Sequence, residues 1–196
     1  MFVQVIKGHT SDPTMLRRQL DRWNSDVRPG AIGFEGSTVG VADDGTFIAL
    51  ARFSDAAAAA RNSERVEQGA WWEETAKLID GEASFRESSD VSLLFEGGTD
   101  DAGFVQVMEG TVKDREQVEA FETPDMLEQL RAARPDLLGG HRVWFDDGTY
   151  VDAAYFTSEA DARKGEGSME FSEQAAAYGE LFGETTYTDL RDPLII

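Results

Sequence analysis

The chain has 196 residues, with 38 acidic against 18 basic side chains and a formal net charge of −20. That excess repels phosphate backbones and anionic lipid, which argues against nucleic acid and membrane as partners, and with no cysteine there are no disulfides, thiolate nucleophiles or cysteine-ligated metals. A hydrophobic share of 41% can support a buried core, no stretch approaches the roughly 20 apolar residues of a spanning helix, and MFVQVIKG does not read as a signal peptide, so a cytoplasmic protein is expected.

Phe2-Val3-Gln4-Val5 opens the chain as a short strand rich in β-formers. Asp12-Pro13 then supplies an N-cap and an N1 proline, predicting a helix with Leu16, Leu20 and Trp23 on one face and Arg28-Pro29-Gly30 as its stop. STVGVADDGTFIALARF follows as two strands around Asp44-Gly45, a dipeptide suited to the positive φ angles of a tight hairpin. A second helix is predicted from about Asp55 to Ile79, with a break near Asn62-Ser63, and a last strand from about Ala83 to Phe95. Glu96-Gly97-Gly98-Thr99-Asp100-Asp101-Ala102 is a glycine-rich, acidic linker.

Beyond it the pattern starts again. Phe104-Val105-Gln106-Val107 repeats the opening strand, and Asp43-Asp44-Gly45-Thr46 returns as Asp146-Asp147-Gly148-Thr149. Pro13-Thr14-Met15-Leu16 is answered by Pro124-Asp125-Met126-Leu127, and Ser89-Asp90-Val91 by Thr188-Asp189-Leu190. Anchors recurring in the same order indicate duplication. Each copy reads β-α-β-β-α-β, the ferredoxin-like unit. The expected fold class is α+β, with halves at 1–95 and 103–196 joined by residues 96–102. One such unit covers a single sheet face with helices, so the two antiparallel sheets are expected to pack together and the chain to act as a monomeric pseudo-dimer, with higher assembly left open.

On these elements the chain resembles the dimeric α/β-barrel superfamily, as a fused tandem form. FSDAAAAARNSERVEQGAWWEE resembles the second-helix region of antibiotic-biosynthesis-monooxygenase-like proteins. The resemblance implies a cofactor-independent monooxygenase, or a protein that binds a small aromatic or polyketide-type ligand, in the first half. The alternative it leaves open is a non-catalytic binding or stress-related module. Such monooxygenases rely on an asparagine, a tryptophan and a tyrosine or histidine, for which Asn62 and Trp71 or Trp72 are the nearest residues. Heme-degrading relatives need a helix histidine, whereas His9 and His141 both fall outside the predicted helices, so no cofactor is expected.

Differences between the copies add further candidates. Arg52 shares a strand face with Ile48 and Leu50, where it could hold an anionic ligand or pair with a carboxylate, and Tyr155 is its counterpart. His141 and Asp152 are polar residues placed to pair across the second hairpin. The positions matching Trp71 and Trp72 fall near Met169 and Glu170, without indoles. Gln4 and Gln106 interrupt apolar strands at equivalent places and are read as sheet-interface residues. The two Asp-Asp-Gly-Thr segments are turns rather than calcium loops, no metal site is expected, and no nucleotide or nucleophile motif is present.

Overall fold

The Asp12 carboxylate accepts the backbone N–H of Met15 at 3.0 Å and caps α1 (Pro13–Arg22), as the Asp-Pro pair predicts. In this computed structural model, which describes residues 1–169 and 173–196, the chain forms two units, Met1–Val91 with Asp192–Ile196, and Ser92–Arg191. Glu170, the expected counterpart of Trp72, lies outside the described residues.

The first unit runs β1 (Phe2–His9), α1, a π-helical turn (Trp23–Val27) with a 3-10 turn (Arg28–Gly30), β2 (Phe34–Val41), β3 (Thr46–Phe53), α2 (Ala56–Ser63), α3 (Val66–Ala76) and β4 (Ser84–Ser88). Asp55 caps α2 by accepting the Ala58 N–H at 2.7 Å, and the helix breaks after Ser63, close to where Asn62-Ser63 predicts. Gly45 turns the β2–β3 hairpin at φ 86°, a left-handed conformation that glycine adopts without strain.

The second unit runs β5 (Val91–Leu94), β6 (Phe104–Val112), α4 (Arg115–Phe121), α5 (Pro124–Ala133), β7 (Leu137–Trp144), β8 (Thr149–Phe156), α6 (Glu159–Met169), α7 (Glu173–Gly179) and β9 (Phe182–Leu190). Last comes β10 (Leu194–Ile195), which belongs to the first unit. The sheets are antiparallel, five-stranded and ordered β10-β2-β3-β1-β4 and β5-β7-β8-β6-β9. Their shared β2-β3-β1-β4 and β7-β8-β6-β9 cores are ferredoxin-like.

One expected strand divides. The predicted run from Ala83 to Phe95 breaks at Ser89-Asp90, where the Asp90 N–H turns back onto the Ser88 hydroxyl at 3.0 Å. Its first part pairs with β1 and its second part joins the β7 edge. There the Trp144 indole N–H donates to the Ser92 hydroxyl at 3.0 Å.

Successive side chains of a strand face opposite ways. In the first unit Ile6, Val39, Phe47 and Ala49 point toward the helices and pack with Leu16, Leu20 and Ile79 into one apolar cluster. Gln4, between Phe2 and Ile6, shares their helix-facing side, and its amide donates to Glu87 directly across on β4 at 2.6 Å. Gln106 does the same with Asp189 on β9 at 3.0 Å. Both glutamines therefore stand on the helix side as cross-strand partners of a carboxylate, not on the opposite face where the sheet-interface expectation puts them. Among the described residues no helix is long and apolar enough to cross a membrane.

Candidate functional site

In the first unit the aromatic candidates are consumed by packing. The Trp71 indole N–H donates to the Gln19 carbonyl at 2.8 Å, and the Gln19 amide donates back to the Trp71 carbonyl at 3.2 Å. Trp23 meets Trp71 edge-on at 6.4 Å and Phe34 at 4.8 Å. Its own N–H goes to the Gln68 side chain at 2.8 Å, which also receives the Asn62 amide at 3.3 Å. Trp72 lies against Trp71 and the half-exposed Phe85. Arg52 is buried and donates to the Thr38 hydroxyl at 3.2 Å. Asn62, Trp71 and Trp72 thus form one hydrogen-bonded and aromatic cluster between α1, α2 and α3, with Arg52 apart from it on the strands.

His141 and Tyr155 do come together, in the second unit. Their rings meet edge-on at 5.6 Å, and the His141 Nε2 accepts the Gly98 N–H at 3.5 Å. Tyr155 occupies the register position of Arg52, each lying opposite the second residue of its sheet's opening strand. The expected His141–Asp152 pair does not form. Asp152 faces Arg142 directly across the hairpin, whereas His141 opposes Ala153, so the pleat carries Arg142 and His141 to opposite faces.

A cavity of about 1330 Å³ lies between the helix-facing side of the second sheet and α4 to α7. Met108, Phe121, Leu127, Leu130 and Phe156 give it apolar walls; of the residues named from sequence His141, Asp152 and Gln106 contribute to its lining, whereas Asn62, Trp71, Trp72, Arg52 and Tyr155 do not. The first half is where the sequence puts the ligand site; this cavity is in the second.

Four polar side chains converge on one part of that cavity. Arg142 grips Asp152 through Nε at 2.9 and 3.0 Å and through Nη2 at 2.8 Å. Its Nη1 donates to Glu122 Oε1 at 2.6 Å and its Nη2 to the Tyr178 hydroxyl oxygen at 3.0 Å. The Tyr178 hydroxyl in turn donates to the same Glu122 oxygen. Around the guanidinium lie the rings of Trp144 at 5.1 Å, Phe182 at 5.4 Å and Tyr150 at 5.9 Å.

Burial shapes the titration of these groups. It pushes the Asp152 carboxyl above the usual carboxylate range, against the opposing pull of Arg142. Burial also works against the Arg142 charge but is overcome by Asp152 and its neighbours, so the guanidinium stays protonated. The Tyr178 hydroxyl is driven well up, first by burial and also by Glu122, and remains a donor. One cation therefore serves two carboxylates.

The first unit shows how unusual this is. Register equates Arg142 with Val39, Asp152 with Ala49, and Tyr150 with Phe47. All three first-unit residues belong to its apolar cluster. The same strand positions are thus plain core in one unit and a buried charged network beside a cavity in the other. Glu122 and Tyr178, with the Arg142–Asp152 pairing, are what sequence reasoning missed. The available signal was in the aligned hairpins, where TVGVADDGTFIAL faces HRVWFDDGTYVDA and two apolar positions become opposite charges. Among the described residues no group of three or more His, Cys, Asp or Glu is placed to hold a metal ion.

The element order and sheet topology define an α+β, ferredoxin-like chain. No protein-family model and no curated protein matches it. Solved structures do. A candidate monooxygenase from Fusobacterium nucleatum subsp. nucleatum aligns at a TM-score of 0.77 and 10% identity, over 99% of this chain and 93% of its own. A candidate monooxygenase from Lactobacillus acidophilus aligns at 0.70 and 12% identity, over 100% and 98%. An anthrone oxidase-like protein aligns at 0.66 and 12% identity, over 96% and 90%. At these identities the likeness is one of fold, and it extends over both units.

Proposed function

We propose that this is a monooxygenase-like protein whose second unit binds a small aromatic or polyketide-type ligand and oxidises it without a cofactor. The observation that carries the reading is the Arg142–Asp152–Glu122–Tyr178 network beside the cavity, at positions that the first unit fills with Val39 and Ala49. Replacing a buried ion pair with apolar residues of similar volume is often neutral or stabilising, so such a network is poorly explained by stability alone. Perturbed titratable groups in a cleft mark a site where protons are handled. The likeness in fold to an anthrone oxidase-like protein supports a flat, multi-ring ligand. In such chemistry a diaryl methylene loses a proton, the carbanion passes electrons to oxygen, and CH₂ plus O₂ becomes C=O plus H₂O. The protein's part is to hold the deprotonated form away from water.

A thermal-shift screen with hydroxylated tricyclic ketones tests the binding step. At a ligand concentration near 100 times Kd the stabilisation is about 2.7 kcal/mol. Trp72→Ala keeps the shift and Ala154→Phe, which fills the cavity, removes it. The opposite pattern would return the site to the first unit. The rival reading, a binding module without catalysis, is separated by oxygen uptake: stabilisation with no oxygen consumed favours the module. A monomeric mass in light scattering would fit one working site per chain.

A further inference from the structure

We infer that Glu122 takes a proton from the ligand, so that the ligand class is a neutral weak acid, a phenol or enol, and not a preformed anion; this rests on the ligand reading above. The geometry is specific about the receiving atom. Asp152 is locked by three contacts from Arg142, whereas both hydrogen bonds to Glu122, from Arg142 and from Tyr178, fall on Oε1. Among the described residues no hydrogen bond falls on Oε2, and Glu122 is part of the cavity lining. Oε2 is a carboxylate oxygen at the wall of an apolar chamber with its partner oxygen already held in place.

Charge counting gives the ligand's form. The lining carries three guanidiniums, Arg134, Arg142 and Arg163, and four carboxylates, Glu122, Asp152, Glu166 and Asp189, an excess of one negative charge. An incoming anion would add a second negative charge beside the largely buried Glu122 and Asp152 carboxylates, where like charges repel. A neutral phenol or enol adds none. Its O–H bond breaks, the proton goes to Glu122 Oε2, and the electron pair stays on the ligand oxygen, so the total charge of the chamber is unchanged. The resulting oxyanion then lies beside Arg142 with only Asp152 still competing for it. Of the other titratable groups in the lining, Tyr150 on β8 and Tyr178 on α7 are kept protonated by burial; Tyr187, His141 and the charged Arg134, Arg163, Glu166 and Asp189 complete the set.

The test uses a nitronaphthol, whose ionised form absorbs in the visible, at a pH one unit below its own solution pKa. On binding to the wild-type chain the ionised band should appear, while calorimetry in two buffers of different protonation enthalpy should show no proton passed to solvent. Glu122→Gln should still bind the probe, by thermal shift, with the neutral spectrum; Glu122→Asp should restore part of the ionised band. An ionised band accompanied by one released proton would mean that the site takes anions and overturns the inference. So would a neutral spectrum in the wild type, or ionisation unchanged in Glu122→Gln. Absence of any thermal shift or saturable spectral change would instead remove the ligand reading itself.

Discussion

Arg142 is the residue on which the second unit's interior turns. Removing it leaves Asp152 and Glu122 with no cation between them in a largely buried setting. Arg142→Ala should therefore destabilise by about 3–5 kcal/mol, the usual cost of uncovering a buried charge. The double change Arg142→Val with Asp152→Ala, which installs the residues found at these positions in the first unit, should cost far less. Urea unfolding of the two variants checks this, and equal losses would show that the network is structural. The network was hard to read from sequence because its members are far apart in the chain. Glu122 and Tyr178 lie 20 and 36 positions from Arg142 and meet it only through packing. Arg142 and Asp152, ten positions apart across a hairpin, were within reach of a strand register, which runs unbroken from the Asp147-Gly148 turn to the Gly139–Tyr155 pair. The indoles drew attention for a different reason. Tryptophan is a frequent ligand-site residue, yet Trp71 already uses its N–H and meets the rings of Trp23 and Trp72 within its own unit.

At the scale of elements, local signals were reliable. Asp12-Pro13, Asp55 and the two Asp-Gly turns act within four residues, and all form as their chemistry dictates. The choice of sheet by β5 and β10 is non-local, and nothing in Val91–Leu94 or Leu194–Ile195 announces a partner. One element junction is sensitive to pH. His9, ending β1, donates from Nε2 to the Asp44 carbonyl at 2.8 Å and lies 2.9 Å from Asp80 through Nδ1, so both ring nitrogens face acceptors. The hydrogen bond to Asp80, then that to Asp44, raises the His9 pKa above 6.5. Ser11 and then His9 lower that of Asp80 below 3.8. The protonated histidine's contribution is fully present below pH 6.5 and fades as pH rises through the raised value. That of Asp80 is present above pH 3.8 and fades as pH falls through the lowered value. A proton-NMR titration of the His9 ring should give a midpoint above 6.5 that drops in Asp80→Asn; an unshifted midpoint would mean the pair does not persist in solution.

For the whole molecule, the five residues after Arg191 matter out of proportion to their number. The Ser37 and Ile196 backbones exchange two hydrogen bonds of 2.9 Å, Leu194 packs on the Leu16 and Leu20 cluster, and Ile196 packs near Trp23. Deleting 192–196 should cost about 2–4 kcal/mol from two apolar side chains and the lost pairing. Tryptophan fluorescence in urea reads this selectively, since Trp23, Trp71 and Trp72 are in the first unit and Trp144 in the second. An unchanged midpoint would show β10 to be dispensable. Chain order then sets a timetable for the ribosome. The first sheet lacks an edge until all of Ser92–Arg191 has been translated, whereas the second, contiguous in sequence, has every strand as soon as β9 emerges. During synthesis the unit that begins first is finished last, and β2 waits with an open edge that a chaperone, or a neighbouring nascent chain, is free to occupy.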